Sequence, residues 1–491
     1  MPQLPKDETQ DVAGQPRIGV DDWVASKEGR TEGHAGALAP LREGLDRISG
    51  SARLAIVVAL AAIFPLLTES DYLVRVGVNT LLFALLALGL NVVVGYAGLL
   101  DLGYIAFYGF GAYVYAVLSS SHFDVHLPTI VSVPVVVLAS ALLGLLLGLP
   151  SRRLVGDYLA IVSLFFAQIF VTLLVNSNRI TPPWSDQAVD FTGGPNGIAE
   201  LDSLGLFGWE ADSITSLFYV ALVVFTVVVV GLHFVSESRT GRAWRALRED
   251  PLAAEVMSMP INRLKLLAFA FGAGVAGLTG AVFAAVQEGV FPNNFSVTLL
   301  ITIYAMVILG GVGSLTGVII GAILITVLPE VLENPDQARL LFYGLVVLTL
   351  LARLRPWRRL AAVLTGTVAF GLVVHAVVGA VWSRGTAGAI LEPTALTRWI
   401  DDWVLLPSSP RTIGNVAFVV LVAAVLGLTL LRGRLRLAAL VPVLYLAAFV
   451  WENRLVDEPS ITRILLLGAL LVVLMNARPQ GLLGTSRVEI V

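Results

Sequence analysis

GRAWRALREDPLAAEVMSMPINRLK, residues 241–265, is a polar, charge-dense stretch set between two long apolar runs. Arg242, Arg245 and Arg248 recur at helical spacing while Trp244 and Leu247 share another face, so Gly241–Glu249 is expected to form a short amphipathic helix. Asp250 before Pro251 reads as an N-cap followed by a first-turn proline, which opens a second short helix over Pro251–Met257. Two such helices are too polar to cross a bilayer and belong at its cytoplasmic surface or against a partner. An ordinary basic loop obeying the positive-inside rule would carry the same charge, and the spacing alone leaves both readings open.

Outside that stretch the chain is apolar. Of its 491 residues 57% are hydrophobic and 14% charged, with mean hydropathy +0.84, far from the charge content of a soluble chain of this length. The expected fold class is all-α, a polytopic transmembrane helix bundle. The absence of cysteine excludes disulfides, thiol nucleophiles and cysteine metal sites. His122 and His126 have metal-ligand spacing, but only Asp124 stands near them, so no metal site is expected.

Residues 1–51 are polar, rich in Asp, Glu, Gly and Pro, and read as a disordered cytoplasmic tail. The first apolar run starts near Leu54, too far in for a signal peptide, and is expected to remain as an anchor. About fourteen spans follow from the apolar runs, from Leu54–Leu67 to Ile461–Met475, several of them short enough to be broken or tilted. With the tail inside, this number puts the basic segments 152–153, 239–263, 353–359 and 432–436 and Arg478 in the cytoplasm, and the acidic loops 69–71, 330–336 and 452–458 outside. Both termini are then cytoplasmic.

A second informative stretch is NVVVGYAGLLDLGYIAFYGFGAY, residues 91–113. Asn91, Gly95, Gly98, Asp101, Gly103, Tyr104, Gly109, Gly111 and Tyr113 are candidate pathway residues, because glycine permits an unwound turn and a charge at depth faces protein or a polar cavity. The other reading is glycine-mediated helix packing with Asp101 at an interface. GGVGSLTG (310–317) interrupts two apolar runs and is expected to be a hairpin. It fails as a nucleotide fingerprint, and no phosphate-binding loop occurs in the chain, so ATP hydrolysis by this chain is not expected.

These words together resemble one family. GRAWRALREDPLAAEVMSM followed by KLLAFAFGAGVAGLTGAVFAA (265–285) is similar to the cytoplasmic coupling segment in permease subunits of branched-chain amino acid ABC importers. Residues 91–113, GDYLAIVSLFFAQIF (156–170), TGGPNGI (192–198) and the closing PQGLL (479–483) resemble further segments of that family in the same order. The resemblance covers Leu73–Arg355 and Arg463–Leu483. It implies an all-α ABC permease that forms half of a translocation pathway in the bacterial cytoplasmic (inner) membrane. Implied partners are a second homologous permease subunit, two cytoplasmic ATPases that hold ATP and Mg, an extracytoplasmic solute-binding protein and the lipid bilayer. No cofactor is implied for this chain, and no nucleic acid.

The resemblance also implies roles. Gly241, Arg242, Trp244, Arg245, Leu247, Arg248, Glu249, Asp250 and Ala254 would couple to the ATPase, Asp157 and Tyr158 would join the pathway set, and Thr192, Gly193, Gly194, Asn196 and Gly197 would form the extracytoplasmic loop. The chain departs from the family pattern in carrying Phe165, Phe166, Ala167 and Gln168 where Gly-Phe-Gly-Glu is usual, and Ser258 where glycine is common. RLLFYGLVVLTLLARLRP (339–356) is echoed by RILLLGALLVVLMNARP (463–479), which reads residues 357–460 as helices added to a permease core of 52–356, closed by a final helix and tail at 461–491. Urea or short amides remain an alternative cargo. An ion-coupled secondary transporter, with Asp101 as its ionisable group, is the rival mechanism.

Overall fold

The computed structural model describes residues 50–68, 70–151, 157–178, 190–206, 209–333, 335–354, 357–381, 403–405, 407, 410–431, 433–457, 468 and 481–483. The expected tail before Gly50, the Arg152–Arg153 pair and the final run at 461–475 lie outside these residues, apart from Gly468. The chain divides into two units at Leu66 and Leu67. In the first, α1 (Gly50–Leu67) is described.

The second unit opens with α2 (Asp71–Leu90), which runs on through a wider π turn, Asn91–Tyr96. α3 (Tyr104–Leu118), α4 (Thr129–Ser151) and α5 (Asp157–Asn176) follow, then α6 (Ile214–Glu237). The polar stretch forms α7 (Arg239–Glu249) and α8 (Pro251–Val256). After it come α9 (Ile261–Gln287), α10 (Val297–Gly310), α11 (Leu315–Glu333) and α12 (Pro335–Arg353). The last described helices are α13 (Trp357–Val381), α14 (Pro410–Leu430) and α15 (Gly433–Asp457). Among the described residues eight helices are long and apolar enough to cross a membrane, and five more are apolar but shorter. Each expected run down to residues 435–451 therefore has its helix, and the chain is an all-α integral membrane protein.

Burial separates inner from outer helices. In α2 and its π turn 72% of the most apolar window is buried, against 17% in α13, so α2 is a core element and α13 presents most of its surface outward. α9 packs against α3, α4 and α2, with the small residues Ala268, Ala273, Ala276 and Ala281 wholly buried. A Cβ on Gly111 would collide with the Gly277 backbone, so α3 and α9 approach to backbone contact. This is the way van der Waals packing holds membrane helices where lipid removes the hydrophobic drive between them.

Loops close both ends of the bundle. At one end two-residue ladders pair Ser119–Ser120 (β1) with Val125–His126 (β2), Ile198–Ala199 (β3) with Gly289–Val290 (β6), and Gly205–Leu206 (β4) with Trp209–Glu210 (β5). Asp202 N–H donates to the Ser119 carbonyl at 2.8 Å and Tyr115 Oη to the Asp202 carbonyl at 3.0 Å. His126 Nδ1 lies 2.8 Å from Asp202 Oδ2, which occupies that histidine. At the other end lie the π turn, α7, α8 and the 310–317 hairpin.

The helices beyond α12 are attached through a buried ion pair. Arg339 Nε on α12 and Glu452 Oε2 on α15 are 2.8 Å apart with side-chain exposures of 3% and 0%, and Tyr343 Oη donates to Glu452 Oε1 at 3.0 Å. Phe342 stacks on Trp451 at 4.5 Å between ring centroids.

Candidate functional site

α7 and α8 form where local chemistry directs. Ser238 caps α7 by accepting from Gly241 N–H at 3.3 Å. Asp250 Oδ1 accepts from Leu252 N–H at 2.9 Å and Ala253 N–H at 3.0 Å, so one carboxylate satisfies two orphan donors of α8. The short helix then closes through Ser258, which takes the left-handed backbone conformation at φ 59° with its N–H on the Glu255 carbonyl at 2.9 Å. That turn suits glycine, and serine adopts it here.

The faces of α7 and α8 divide the expected set. Gly241, Trp244, Leu247 and Ala254 are buried against this chain. Trp244 Nε1 donates to the Leu264 carbonyl at 2.9 Å and its ring meets Phe271 edge-on, seating α7 on the start of α9. The three arginines do not form one outward stripe. Arg242 donates to the Glu237 carbonyl at 2.7 Å and Arg245 to the Ser236 carbonyl at 3.1 Å, so both meet the otherwise orphaned C-terminal carbonyls of α6. Glu249 and Asp250 are exposed. Beside these charges α8 and the turn after it present an apolar group: Leu252, Val256 and Met257 are 75%, 84% and 73% exposed.

Arg248 turns inward. Its Nη1 donates to the Gly95 carbonyl at 2.6 Å, joining α7 to the end of the π turn across 153 residues of sequence. Gly95 in turn lies against the Gly313 backbone, and Asn91 Oδ1 accepts from Gly313 N–H at 2.8 Å. At both Gly98 (φ +69°) and Gly313 (φ +89°) a Cβ would meet Arg248 first, at Gly98 the start of its side chain and at Gly313 its guanidinium, so both left-handed glycines leave room for this one residue. Gly481–Leu483 completes this end: Leu482 and Leu483 N–H donate to the Leu309 and Gly310 carbonyls at 2.9 and 3.0 Å. The hairpin, the π turn, α7 and Gly481–Leu483 are thus one polar latch.

The π turn and the segment after it set the start of α3 at Tyr104. Gly98 reverses the backbone, and Asp101 Oδ1 accepts from Gly103 N–H at 2.9 Å, closing an Asx turn ahead of the helix. Asp101 is 1% exposed; its carbonyl receives Tyr304 Oη at 2.5 Å, and Leu102 N–H donates to Ser163 Oγ at 2.9 Å. Asp101 is held by neighbours on α10 and α5, and Ser163 and Tyr304 are partners that no local sequence signal announces. Asn91, Gly95, Gly103, Tyr104, Gly109, Gly111 and Tyr113 are also buried in this chain. Tyr158 points outward at 72% exposure, and Asp157 begins α5 with its side chain outside the described residues.

TGGPNGI is a tight turn anchored to the end of α5 and, through Ile198, to β6. Thr192 and Gly193 N–H both donate to Asp190 Oδ1, at 3.1 and 2.7 Å, Thr192 Oγ1 donates to the Leu174 carbonyl at 2.7 Å, and Gly194 N–H donates to Thr192 Oγ1 at 3.2 Å. Gly193, Gly194 and Gly197 all have positive φ, with Pro195 and Asn196 in the short 3₁₀ turn between them. The glycine N–H groups are used inside the loop, and Asp190 organises two of its backbone donors.

Residues 72–351 match the family described as branched-chain amino acid transport system, permease component. The high-affinity branched-chain amino acid transport system permease protein LivM of Escherichia coli K12 is 36% identical over 324 residues, covering 61% of this chain and 73% of that protein. The protein of the same name from Salmonella typhimurium is 36% identical over 304 residues, covering 57% and 68%. The corresponding permease protein BraD of Pseudomonas aeruginosa is 31% identical over 155 residues, 30% of this chain and half of that one. No solved structure matches. The match stops before α13, so α13–α15 lie beyond the family region. This chain belongs to the permease components of branched-chain amino acid transport systems.

Proposed function

We propose that this chain is one half of the membrane pathway of an ATP-driven importer of branched-chain amino acids in a bacterial inner membrane, paired with a second homologous permease. Two cytoplasmic ATPases bind at α7–α8, and an extracytoplasmic binding protein delivers the solute at the end carrying the 192–198 loop. The observation that carries this reading is the position of Arg248. It gives a short helix pair at the bundle's end a charged, directional grip on the π turn of a core helix.

The division of faces supports an ATPase seat on α8. Trp244 and Leu247 fix α7 to the permease, while Leu252, Val256 and Met257 offer an apolar surface of the kind that marks a protein contact. ATP-driven closure of the ATPases would displace α7–α8, and Arg248 would pass that displacement to Gly95 and the 310–317 hairpin. Driving the cycle requires that the ATPases bind the two permease states with different affinity.

The test is reconstitution with the co-purifying subunits, measuring ATP-dependent leucine uptake and subunit retention. Leu252→Glu with Val256→Glu is expected to release the ATPases while the permease chain stays folded. Retention of the ATPases by that variant would move the docking surface elsewhere. Leucine accumulation by the wild-type chain without ATP would replace the ABC reading by secondary transport.

A further inference from the structure

At the end of α2 remote from Arg248, a cavity of about 240 Å³ lies between α2, α10 and α11. Its wall carries Asn79, Thr302, Thr326 and Glu330 together with Phe83 and Met306. Asn79 precedes Asn91 by twelve residues, roughly 18 Å along the helix, so the cavity and the latch share one rigid element. A volume of this size lies below the ~300–1,000 Å³ of sites for drug-sized ligands and suits a molecule of a few heavy atoms.

The polar atoms of the wall have a definite sense. Thr302 Oγ1 donates to the Thr298 carbonyl at 2.9 Å and Thr326 Oγ1 to the Ala322 carbonyl at 2.7 Å. Each hydroxyl proton is spent within its own helix, and only acceptor lone pairs remain for a guest. Pro329, also in the wall, has no N–H to give the Ile325 carbonyl, which loses its helical donor and adds another acceptor. The Glu330 carboxylate accepts through two oxygens and has capacity beyond any single bond. Against these acceptors stands one amide donor, Asn79, whose side chain makes no hydrogen bond among the described residues. Acceptors in excess around a carboxylate, next to an apolar surface, match an ammonium group with a short aliphatic tail and leave the Asn79 amide for a carboxylate. Carboxylates placed within membrane helices mark such pathways.

We propose that this cavity is a transit site for a free aliphatic amino acid, with its ammonium on Glu330, Thr302 and Thr326, its carboxylate on Asn79 and its side chain on Phe83 and Met306. The proposal rests on the transport reading above and names where in this chain the solute pauses.

The chain contains no cysteine, so Asn79→Cys or Thr326→Cys introduces its single thiol. The experiment follows the rate at which a methanethiosulfonate reagent labels that thiol in reconstituted, co-purified complex in phosphatidylcholine vesicles. L-leucine is expected to slow labelling several-fold at both positions, as is isopentylamine, which keeps the ammonium and the tail; 4-methylpentanoate, which lacks the ammonium, is expected to leave the rate unchanged. Adding Glu330→Gln to Thr326→Cys should abolish the protection. A cysteine at the outward-facing Leu142 should react at one rate throughout.

Equal protection by 4-methylpentanoate, protection by sodium alone, or protection by phosphatidylethanolamine vesicles without amino acid would each overturn the assignment, the last by giving the ammonium to a lipid headgroup. ATP-driven leucine uptake by cysteine variants that leucine does not protect would sink the site and leave the transport reading intact. Leucine protection without ATP-driven uptake would do the reverse.

Discussion

The two ends of the bundle are held by different chemistry. At the end carrying the 192–198 loop, three backbone ladders and the Asp190 turn knit loops to each other, and the Arg339–Glu452 pair fastens α15 to α12. At the end carrying α7 and α8, a single guanidinium bridges α7 to the π turn. Ladders cannot change partners without local unfolding, whereas a side chain can exchange one carbonyl for another by rotation. The hairpin beside α7 is held by backbone N–H groups as well, so the difference singles out the α7 attachment as the contact that can change and sets that movable end against the fixed one. The two classes of contact should then fail differently, the first in stability and the second in coupling.

The largest stability loss is expected at the fixed end. Glu452→Ala removes one partner of the buried Arg339–Glu452 ion pair, a change that costs roughly 3–5 kcal/mol. Thermal unfolding in detergent should fall accordingly, while in complexes that stay assembled the ratio of leucine transported to ATP hydrolysed should hold. Loss of that ratio in assembled complexes would show that α13–α15 take part in the cycle.

Arg248→Met comes next. It removes a charge-assisted hydrogen bond to the Gly95 carbonyl, about 1.5–3 kcal/mol, and should lower transport far more than ATP hydrolysis. Arg248→Lys is expected to restore the charge and not the coupling, because a flexible ammonium lacks the planar fork that reaches the Gly95 carbonyl beside Gly313. Parallel loss of transport and ATPase assembly in Arg248→Met would mean that the residue only stabilises the fold.

What the sequence could reveal followed from range. The helices, the Asp250 cap and the short polar pair are set by neighbours within four residues, and all are readable. The contact that Arg248 makes is the instructive exception. Three arginines at i, i+3 and i+6 suggest one stripe, yet each step falls about 60° short of a turn, so Arg248 lies roughly 120° round from Arg242 and close to the buried Trp244 face. Its partner is 153 residues away, and nothing local announces Gly95. The same holds for Ser163 and Tyr304 around Asp101, and for the cavity, whose Asn79, Thr302 and Glu330 are ordinary within their own helices. A buried-pair signal did exist for α15, where Glu452 and Asn453 end an apolar run, but a charged helix end reads equally well as a loop.

A smaller effect at the fixed end sharpens the contrast. Asp190→Ala removes the acceptor for two backbone donors, Thr192 and Gly193, at a cost of about 1–3 kcal/mol for the groups left unsatisfied. Amide exchange over 192–199 should speed up while exchange in α7 and α8 is unchanged. Faster exchange at both ends would mean that the bundle transmits disorder along its length, against the separation argued above.

The smallest effect tests the movable end from the opposite direction. Ser258 holds the left-handed conformation that ends α8, a conformation that costs an L-residue roughly 1–2 kcal/mol and glycine almost nothing. Part of that gain is offset because glycine also has more freedom to lose on folding, so Ser258→Gly should stabilise the chain by about 1 kcal/mol or less, read as a small rise in melting temperature. If α7 and α8 move as a rigid pair through Arg248, relieving this turn leaves the transport-to-hydrolysis ratio unchanged. A change in that ratio would place the hinge at Ser258 itself, between α8 and α9, and make Arg248 the anchor about which the pair turns.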